Sequence, residues 1–436
     1  MGEAAAVHER NLPSQVRAEK LNAKIDGLPS GTTAWVVWSV AVAFVIYYFA
    51  ILTGYSIINP GLQRDTGITT TQVGIVAAAY TWVYAFGQLF SGALLDRLGA
   101  RKVLLPAIAL VTSGAFIFAQ SGGFSGLVLS QMVLALGACA GFVGAGYVGG
   151  QWFGGAKFSF MFGLVQFAAS FTSAFSQNII ARSLDHVSWQ TLFTYSGVFG
   201  IVLFGVALLF LKDPKPMPLT RGAGPLVFLK DIIGGILRVA RIGQIWMVGV
   251  IGSLVFGSML SMGVVWAPKL LAGRGMDPSL TTMAASLIWL GVATGCLIVP
   301  RWSDTLRRRK LPMLTGIALQ LSALLGLIYL ASPSTPLMMV LCFCFGLGAA
   351  VHMLSFSSAA DVVEPARIGT ASALVNGLMF LMGGILISRP GVRIDQALNL
   401  GMTPGLEFAQ YTAWPLVAGL GLALVLALVM KESYPR

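Results

Sequence analysis

Apolar runs of about 20 residues recur along almost the whole chain, separated by short polar breaks. A helix of that length crosses the roughly 30 Å hydrocarbon core of a bilayer. In lipid the backbone N–H and C=O groups must be satisfied within the segment, so each run is predicted to be a helix. The runs therefore predict an all-α, multi-pass membrane protein and exclude a soluble globular fold.

About twelve runs are predicted, in two sets of six. They cover residues 35–57, 72–94, 103–120, 124–148, 158–180 and 189–211, and then 245–268, 279–299, 312–331, 336–356, 368–388 and 410–430. We expect a polar tail at 1–33, six-helix bundles at 34–211 and 245–430, a linker at 212–244 and a second tail at 431–436. The linker contains a predicted amphipathic helix that lies in the membrane interface.

The charge distribution predicts the orientation in the membrane. The chain has 28 Lys and Arg against 16 Asp and Glu, a net charge of +12. Nucleic-acid binding would need a basic cluster on a soluble module, and the sequence has none of adequate size. With the amino terminus inside, 22 of the 28 basic residues fall on the inner side. We therefore expect a bacterial cytoplasmic (inner) membrane, both termini in the cytosol, and no nucleic-acid partner.

The acidic residues lie in predicted loops or at predicted helix ends, so no carboxylate is expected at the bilayer midplane. Carboxylates inside the membrane commonly carry protons in coupled pumps, and this chain lacks an obvious one. The solute is therefore expected to be held by helix dipoles, amides, hydroxyls and rings. A neutral or zwitterionic solute and an anion bound by dipoles both remain open.

The break after the second run carries a charged motif, GALLDRLGARK at residues 92–102. Asp96 is expected to pair with Arg101 while it faces the positive amino end of a neighbouring helix. The motif resembles the signature loop of the major facilitator superfamily, G-x-x-x-D-R-x-G followed by basic residues, with Ala100 where a basic residue is usual. The resemblance implies a latch on the cytosolic side, with Asp96, Arg97 and Arg101 as gating residues.

A weaker copy of the motif follows the eighth run, six runs after the first. It is PRWSD, ending at Asp304, and the basic run 307–310. The resemblance covers residues 35–430 and implies the family's two six-helix halves, with the solute path between them. Asp304, together with Glu364 and Arg367 before the eleventh run, is expected to join the gate.

Polar and aromatic side chains inside the runs are candidate solute-binding residues. They are Tyr47, Tyr48, Tyr55, Tyr80, Tyr84, Gln88, Gln166, Ser170, Gln177, Trp266, Trp289, His352 and Asn376. Three of them, Tyr80, Tyr84 and Gln88, are four residues apart and share a helix face. The stripe that begins at Gln166 is compatible with hydrogen bonding between helices and with cavity lining. His352, the histidine inside a run, is a candidate for carrying a coupling proton or for a neutral hydrogen bond between helices.

No nucleophile with a base, nucleotide loop or metal cluster is present in the sequence, so we expect no enzymatic activity, no cofactor and no metal. The favoured function is secondary active or facilitative transport of a small organic solute, such as an amino acid or organic anion, by a monomer. A proton is the candidate coupling ion, in the manner of a symporter. The alternatives are an exporter of drugs or a siderophore, and a membrane sensor that does not transport.

Overall fold

Long helices dominate the computed structural model, which describes residues 31–214, 225–331, 333–403 and 405–435. Twelve helical stretches in these residues are long and apolar enough to cross a membrane. No β-strand occurs in the described ranges. The predicted all-α membrane fold with twelve spans is therefore confirmed. The predicted tail at 1–33 and the proline-rich part of the linker lie mostly outside the described residues.

The helices are numbered below as spans 1 to 12. Spans 1 to 6 are Thr32–Thr66, Thr70–Leu98, Ala100–Gln120, Phe124–Ala138 with Gly141–Phe153, Phe158–Ser183 and Trp189–Phe210. Spans 7 to 12 are Gly243–Ser261 with Ala267–Gly273, Pro278–Leu306, Lys310–Tyr329, Thr335–Ala349 with Met353–Asp361, Ile368–Asn399 and Leu406–Val429. Several helices outlast their apolar runs, because hydropathy detects the part that suits lipid and not the point where the backbone leaves the helix. Span 1 continues to Gly67, whose φ of 69° ends it in a left-handed turn.

The two ends of the bundle differ in what they carry. We call the end with the turn between spans 2 and 3, the linker between spans 6 and 7, and the carboxyl terminus the linker end. The opposite end is the far end. At the linker end, Gly99 joins spans 2 and 3 with a φ of 83°, a conformation that favours glycine and allows the tight turn predicted there.

Three spans are interrupted within their length. Span 4 breaks at 139–140, and span 10, its counterpart in the second set of six, tightens into a 3₁₀ turn at Ala350–His352. Span 7 contains a π-helical segment, Met262–Trp266. Such departures from the α-helical hydrogen-bond pattern often occur at functional sites, because they redirect side chains and free backbone groups.

The first half of the molecule consists of spans 1 to 6 and the second half of spans 7 to 12. The two halves meet most closely at glycines, where no side chain separates the helices. A Cβ added at Gly92 of span 2 would lie 2.1 Å from the carbonyl oxygen of Gly369 in span 11. A Cβ at Gly163 of span 5 would lie 2.6 Å from the carbonyl oxygen of Cys296 in span 8. Small residues at such points let backbones pack directly against each other. Both contacts lie toward the linker end, so the halves are closed there.

A helix at Pro225–Ala240 lies in the segment for which the sequence predicts an amphipathic helix. Ile232 and Val239 are buried against the bundle, while Ile233 and Leu237 are exposed one turn apart. Apolar residues are therefore present on both its buried and its exposed sides. Its Asp231 forms a 2.6 Å ion pair with Arg97, which joins the linker helix to the end of span 2.

Candidate functional site

The linker end is sealed by Asp96 at the end of span 2. Its carboxylate accepts hydrogen bonds from the backbone N–H of Gly369 at 2.9 Å, and from the N–H and hydroxyl of Thr370, both at 2.7 Å. These N–H groups belong to the first turn of span 11, where the helix itself supplies no acceptors. A carboxylate at a helix amino end is stabilised further by the helix dipole. Asp96 of the first half therefore caps a helix of the second half.

The predicted pair between Asp96 and Arg101 is absent, and this expectation was wrong. The Arg101 guanidinium instead donates to the carbonyl oxygens of Leu208, at 2.9 Å, and Leu211, at the end of span 6. Those carbonyls lie at the carboxyl end of span 6, where the helix supplies no donors, and Arg101 satisfies them.

Asp213 follows span 6 and caps the amino end of span 3. Its carboxylate accepts from the N–H of Ala100 at 2.7 Å and from the N–H of Arg101. Burial raises the pKa of Asp213 above its ordinary value, although these amide hydrogen bonds act in the opposite direction.

The second half repeats this cap with Glu432, which follows span 12. Its carboxylate accepts from the N–H of Arg309 at 2.7 Å and of Lys310 at 3.2 Å, at the start of span 9. Burial opposes ionisation of Glu432, but the amide hydrogen bonds outweigh it, and the pKa lies below its ordinary value.

Arg309 is the buried centre of the second-half network, with 4% of its surface exposed. It pairs with Asp304 at 2.6 Å and with Asp361 at 2.9 Å. Burial disfavours its charge, but the hydrogen bonds from Arg309 to the two carboxylates outweigh that cost and raise the pKa of Arg309. Within the basic run 307–310, the sequence did not distinguish this residue from its neighbours.

Two predicted gating residues pair with each other. Glu364 and Arg367 form an exposed 3.6 Å ion pair with each other, three residues apart, before span 11. Exposed pairs of this kind contribute little to stability. The inter-half contact next to them is made by Asp96 instead.

A small cavity lies between the halves, above the Asp96 seal. It has about 10 Å³ for the centre of a water molecule, room for about one water. Its lining comes from spans 1, 4, 5, 7, 10 and 11: Phe49, Phe142, Gln166, Phe256, His352, Phe356, Asn376, Met379 and Phe380. Side chains of both halves therefore line the same space.

Predicted binding residues of span 2 lie behind the cavity lining and connect to it through Asn376. The Asn376 amide donates to the Tyr84 hydroxyl at 3.3 Å, across the interface between the halves. Tyr80 stacks on Tyr84 with ring centroids 5.8 Å apart. Tyr48 and Gln88 are buried and interact with Tyr84. On the other side, Gln166 donates to Ser170 at 2.9 Å.

Four other predicted binding residues lie away from the cavity. Tyr47 faces span 6, where a Cβ at Gly200 would lie 2.5 Å from its hydroxyl. The Tyr55 hydroxyl donates to the carbonyl of Val73, between spans 1 and 2. Trp289 donates to Gly263 within the π segment of span 7 at 3.0 Å. Trp266, in the same segment, donates to Ile387 of span 11 at 2.7 Å.

The side chain of Gln177, the remaining predicted binding residue, lies outside the described part of the structure.

The aromatic lining was missed by the sequence analysis. Phe142, Phe256, Phe356 and Phe380 come from four different spans and have no special spacing. In a chain with 26 phenylalanines, the residue type alone does not separate a cavity wall from a lipid-facing surface. The breaks in spans 4 and 10 mark this region only in the structure, where Phe142 and His352 lie next to them.

A second, larger cavity lies inside the second half. It offers about 50 Å³ for the centre of a water molecule and is lined by spans 7, 11 and 12, including Trp266, Pro390 and Phe408. Its walls are mainly apolar and none of the lining residues comes from the first half. The central cavity is therefore the candidate site.

Comparisons with known proteins agree with this architecture. Residues 40–388 match the family described as Major Facilitator Superfamily. The chain is 26% identical over 181 residues to quinolone resistance protein NorA of Staphylococcus aureus, a match that covers 39% of this chain and 45% of NorA. It is 27% identical over 178 residues to the probable sulfoacetate transporter SauU of Cupriavidus necator, covering 39% of this chain and 40% of SauU.

Each of these two matches covers less than half of the relative's length. The crystal structure of the human organic anion transporter MFSD10 (TETRAN) superposes with a TM-score of 0.71 at 15% identity, over 91% of this chain and 100% of that one. At this identity the likeness concerns the fold alone.

Proposed function

Because this chain belongs to the major facilitator superfamily of transporters, we propose that it moves a small organic solute across the bacterial cytoplasmic membrane by alternating access. The observation that carries the proposal is the central cavity, whose walls come from both halves. Any relative movement of the halves changes its shape and its access. We further propose that the linker end and both termini face the cytosol.

The Asp96 seal supports the closing half of such a cycle. Its three hydrogen bonds cross from the first half to the second, so they must break when the linker end opens. Hydrogen bonds to a charged group each contribute about 1.5–3 kcal/mol. Opening the linker end therefore has to offset the loss of these bonds, and we propose that binding of the solute supplies this free energy.

Uptake of a solute mixture into proteoliposomes tests the proposal, because the protein itself selects which solute enters. Vesicles that contain the purified protein are incubated with a bacterial metabolite extract, washed, and analysed by mass spectrometry. We expect one or a few small organic solutes to enter these vesicles and not protein-free ones. Asp96→Asn should reduce their entry, since an amide provides one acceptor oxygen and no charge. Asp185→Asn, the same change in an exposed far-end loop, is the matched control.

Transport would be refuted if no component of the extract accumulates more in the protein-containing vesicles than in the protein-free vesicles. Equal uptake by Asp96→Asn and Asp185→Asn would refute the seal. The same vesicles test proton coupling: we propose that His352, the titratable side chain among the described cavity residues, carries the proton. An uptake rate that does not change with an imposed pH gradient would exclude that role for His352.

Drug export is the second candidate. The similarity to NorA and the phenylalanine lining of the cavity favour it. Expression in a drug-sensitive bacterial strain separates the two functions, because an exporter lowers susceptibility to toxic compounds and a nutrient carrier does not.

A further inference from the structure

The imidazole of His352 is held in one tautomer by the break in span 10. The helix tightens to a 3₁₀ turn at Ala350–His352, and the ring Nδ1 lies 2.7 Å from the carbonyl oxygen of Ala349. A carbonyl oxygen only accepts, so Nδ1 must carry the hydrogen. In the neutral ring, Nε2 is then a bare acceptor.

This acceptor has no partner in the described structure. His352 is 1% exposed and lines the central cavity, and its Nε2 is buried without a hydrogen bond. The ring packs on Phe256, with centroids 5.1 Å apart, which limits its rotation. Leaving such a group unsatisfied is unfavourable. A solute that donates to Nε2 recovers that free energy.

The other walls determine what else the solute must be. The described lining contains five phenylalanines and Met379, and no Lys, Arg, Asp or Glu. The two amides, Gln166 and Asn376, already donate to Ser170 and Tyr84. A buried carboxylate or ammonium would need a compensating charge here. The closed cavity has room for about one water, so a larger solute enters only when the halves separate. Flat apolar groups then find aromatic faces on several sides.

We propose that the central cavity selects an uncharged solute with an apolar, ring-like body and a hydrogen-bond donor, and that this donor is accepted by Nε2 of His352. The assignment rests on the proposed transport function and narrows it to one class of solute. It places His352 in the site as the residue that selects for the donor. Because Nδ1 already carries a hydrogen, a coupling proton would also bind Nε2, so solute and proton occupy His352 in turn.

Matched probes test the assignment on the full-length protein in nanodiscs. Cyclohexyl, phenyl and naphthyl rings are each used as the hydroxymethyl alcohol, the methoxymethyl ether and the carboxylate. Binding is measured from the thermal unfolding midpoint, which a ligand of the native state raises. For at least one ring, we expect the alcohol to bind about tenfold more tightly than the ether and the carboxylate to bind most weakly.

Substitution of His352 tests where the donor binds. His352→Phe keeps a ring without an acceptor and should reduce the preference for alcohol over ether to about onefold, while His352→Gln keeps an acceptor and should retain part of it. Tyr47→Phe removes a hydroxyl outside the cavity and serves as the control, with an unchanged ratio. If His352→Phe does not fold, the alcohol-to-ether binding ratios of the wild-type and His352→Gln proteins still test the assignment.

Tighter binding of a carboxylate, an alcohol preference that persists in His352→Phe, or no binding by any probe would overturn the assignment. These outcomes are distinct from failure of transport itself. Entry of charged solutes into proteoliposomes would uphold transport and refute the solute class, whereas entry of none would refute transport.

Discussion

Replacement of Gly92 by alanine should open the linker end. The new methyl carbon would lie 2.1 Å from the Gly369 carbonyl oxygen and 2.5 Å from the Ala373 Cβ, where ordinary contact begins at 3.4 Å. Spans 2 and 11 must therefore separate by about 1.3 Å at this point. Because the obstacle is backbone, no side-chain rotation relieves the clash. Asp96 lies one turn further along and would be drawn away from Gly369 as well.

The structure sets the size of the effect. Overpacking of a close contact costs about 1–3 kcal/mol, and here the cost falls on the state in which the halves touch. That penalty shifts the ratio of closed to open molecules by about 5- to 150-fold toward the open state. Loss of any of the Asp96 hydrogen bonds would increase the shift further.

Spin-label distances at both ends measure the ratio directly. In a background with the four cysteines replaced, Lys102→Cys with Arg308→Cys reports the linker end, and Arg182→Cys with Leu400→Cys reports the far end. Gly92→Ala should lengthen the first distance and shorten the second. Gly74→Ala, which has nothing within 4 Å of the new methyl group, adds the same helix propensity to span 2 and should change neither. Unchanged distances in Gly92→Ala, or equal changes in both variants, would refute the reasoning.

Two further predictions concern the charged groups at the linker end. Arg309→Gln leaves Asp304 and Asp361 without their partner and should lower the free energy of unfolding by about 3 kcal/mol, as measured in detergent; a loss below ~1 kcal/mol would contradict a buried ion pair. Because the pKa of Glu432 is lowered on folding, its stabilisation is present above its ordinary pKa and is lost as pH falls through the lowered value. Glu432→Gln should therefore lower the unfolding midpoint more at pH 7 than at pH 4. Asp213, whose pKa is raised, should show a smaller or opposite difference on replacement by Asn, and matching pH profiles for the two variants would refute the contrast.

The spans could be predicted from sequence because hydropathy and lipid thickness act locally. The partner of Asp96 could not, because it is 273 residues away in the chain. Arg101, five residues on, was the obvious cation, yet it binds the carbonyl end of span 6. Backbone groups at helix ends leave no signature in residue type, so the competition between them and nearby side chains becomes visible only when the helices are packed.

The cavity was harder to predict than the seal for a related reason. Tyr47 and Tyr48 are adjacent, but one packs toward span 6 and the other toward Tyr84. In a soluble helix, polarity would show which face is inside. Here lipid and protein are both apolar, so hydrophobic periodicity does not separate the cavity wall from the outer surface. His352 was singled out because a titratable side chain within a span is costly and therefore informative.

The repeated motif has different consequences in the two halves. Asp96 precedes Arg101 by the same five residues that separate Asp304 from Arg309, and Asp213 and Glu432 cap equivalent helices. In the second half, Asp304 is held by Arg309 within its own half. In the first half, Arg101 caps span 6 instead, which leaves Asp96 free to bind span 11 of the other half. Opening the linker end therefore breaks the bonds of Asp96 and preserves those of Arg309, so the second-half network is expected to move as a rigid unit while the first-half aspartate acts as the latch.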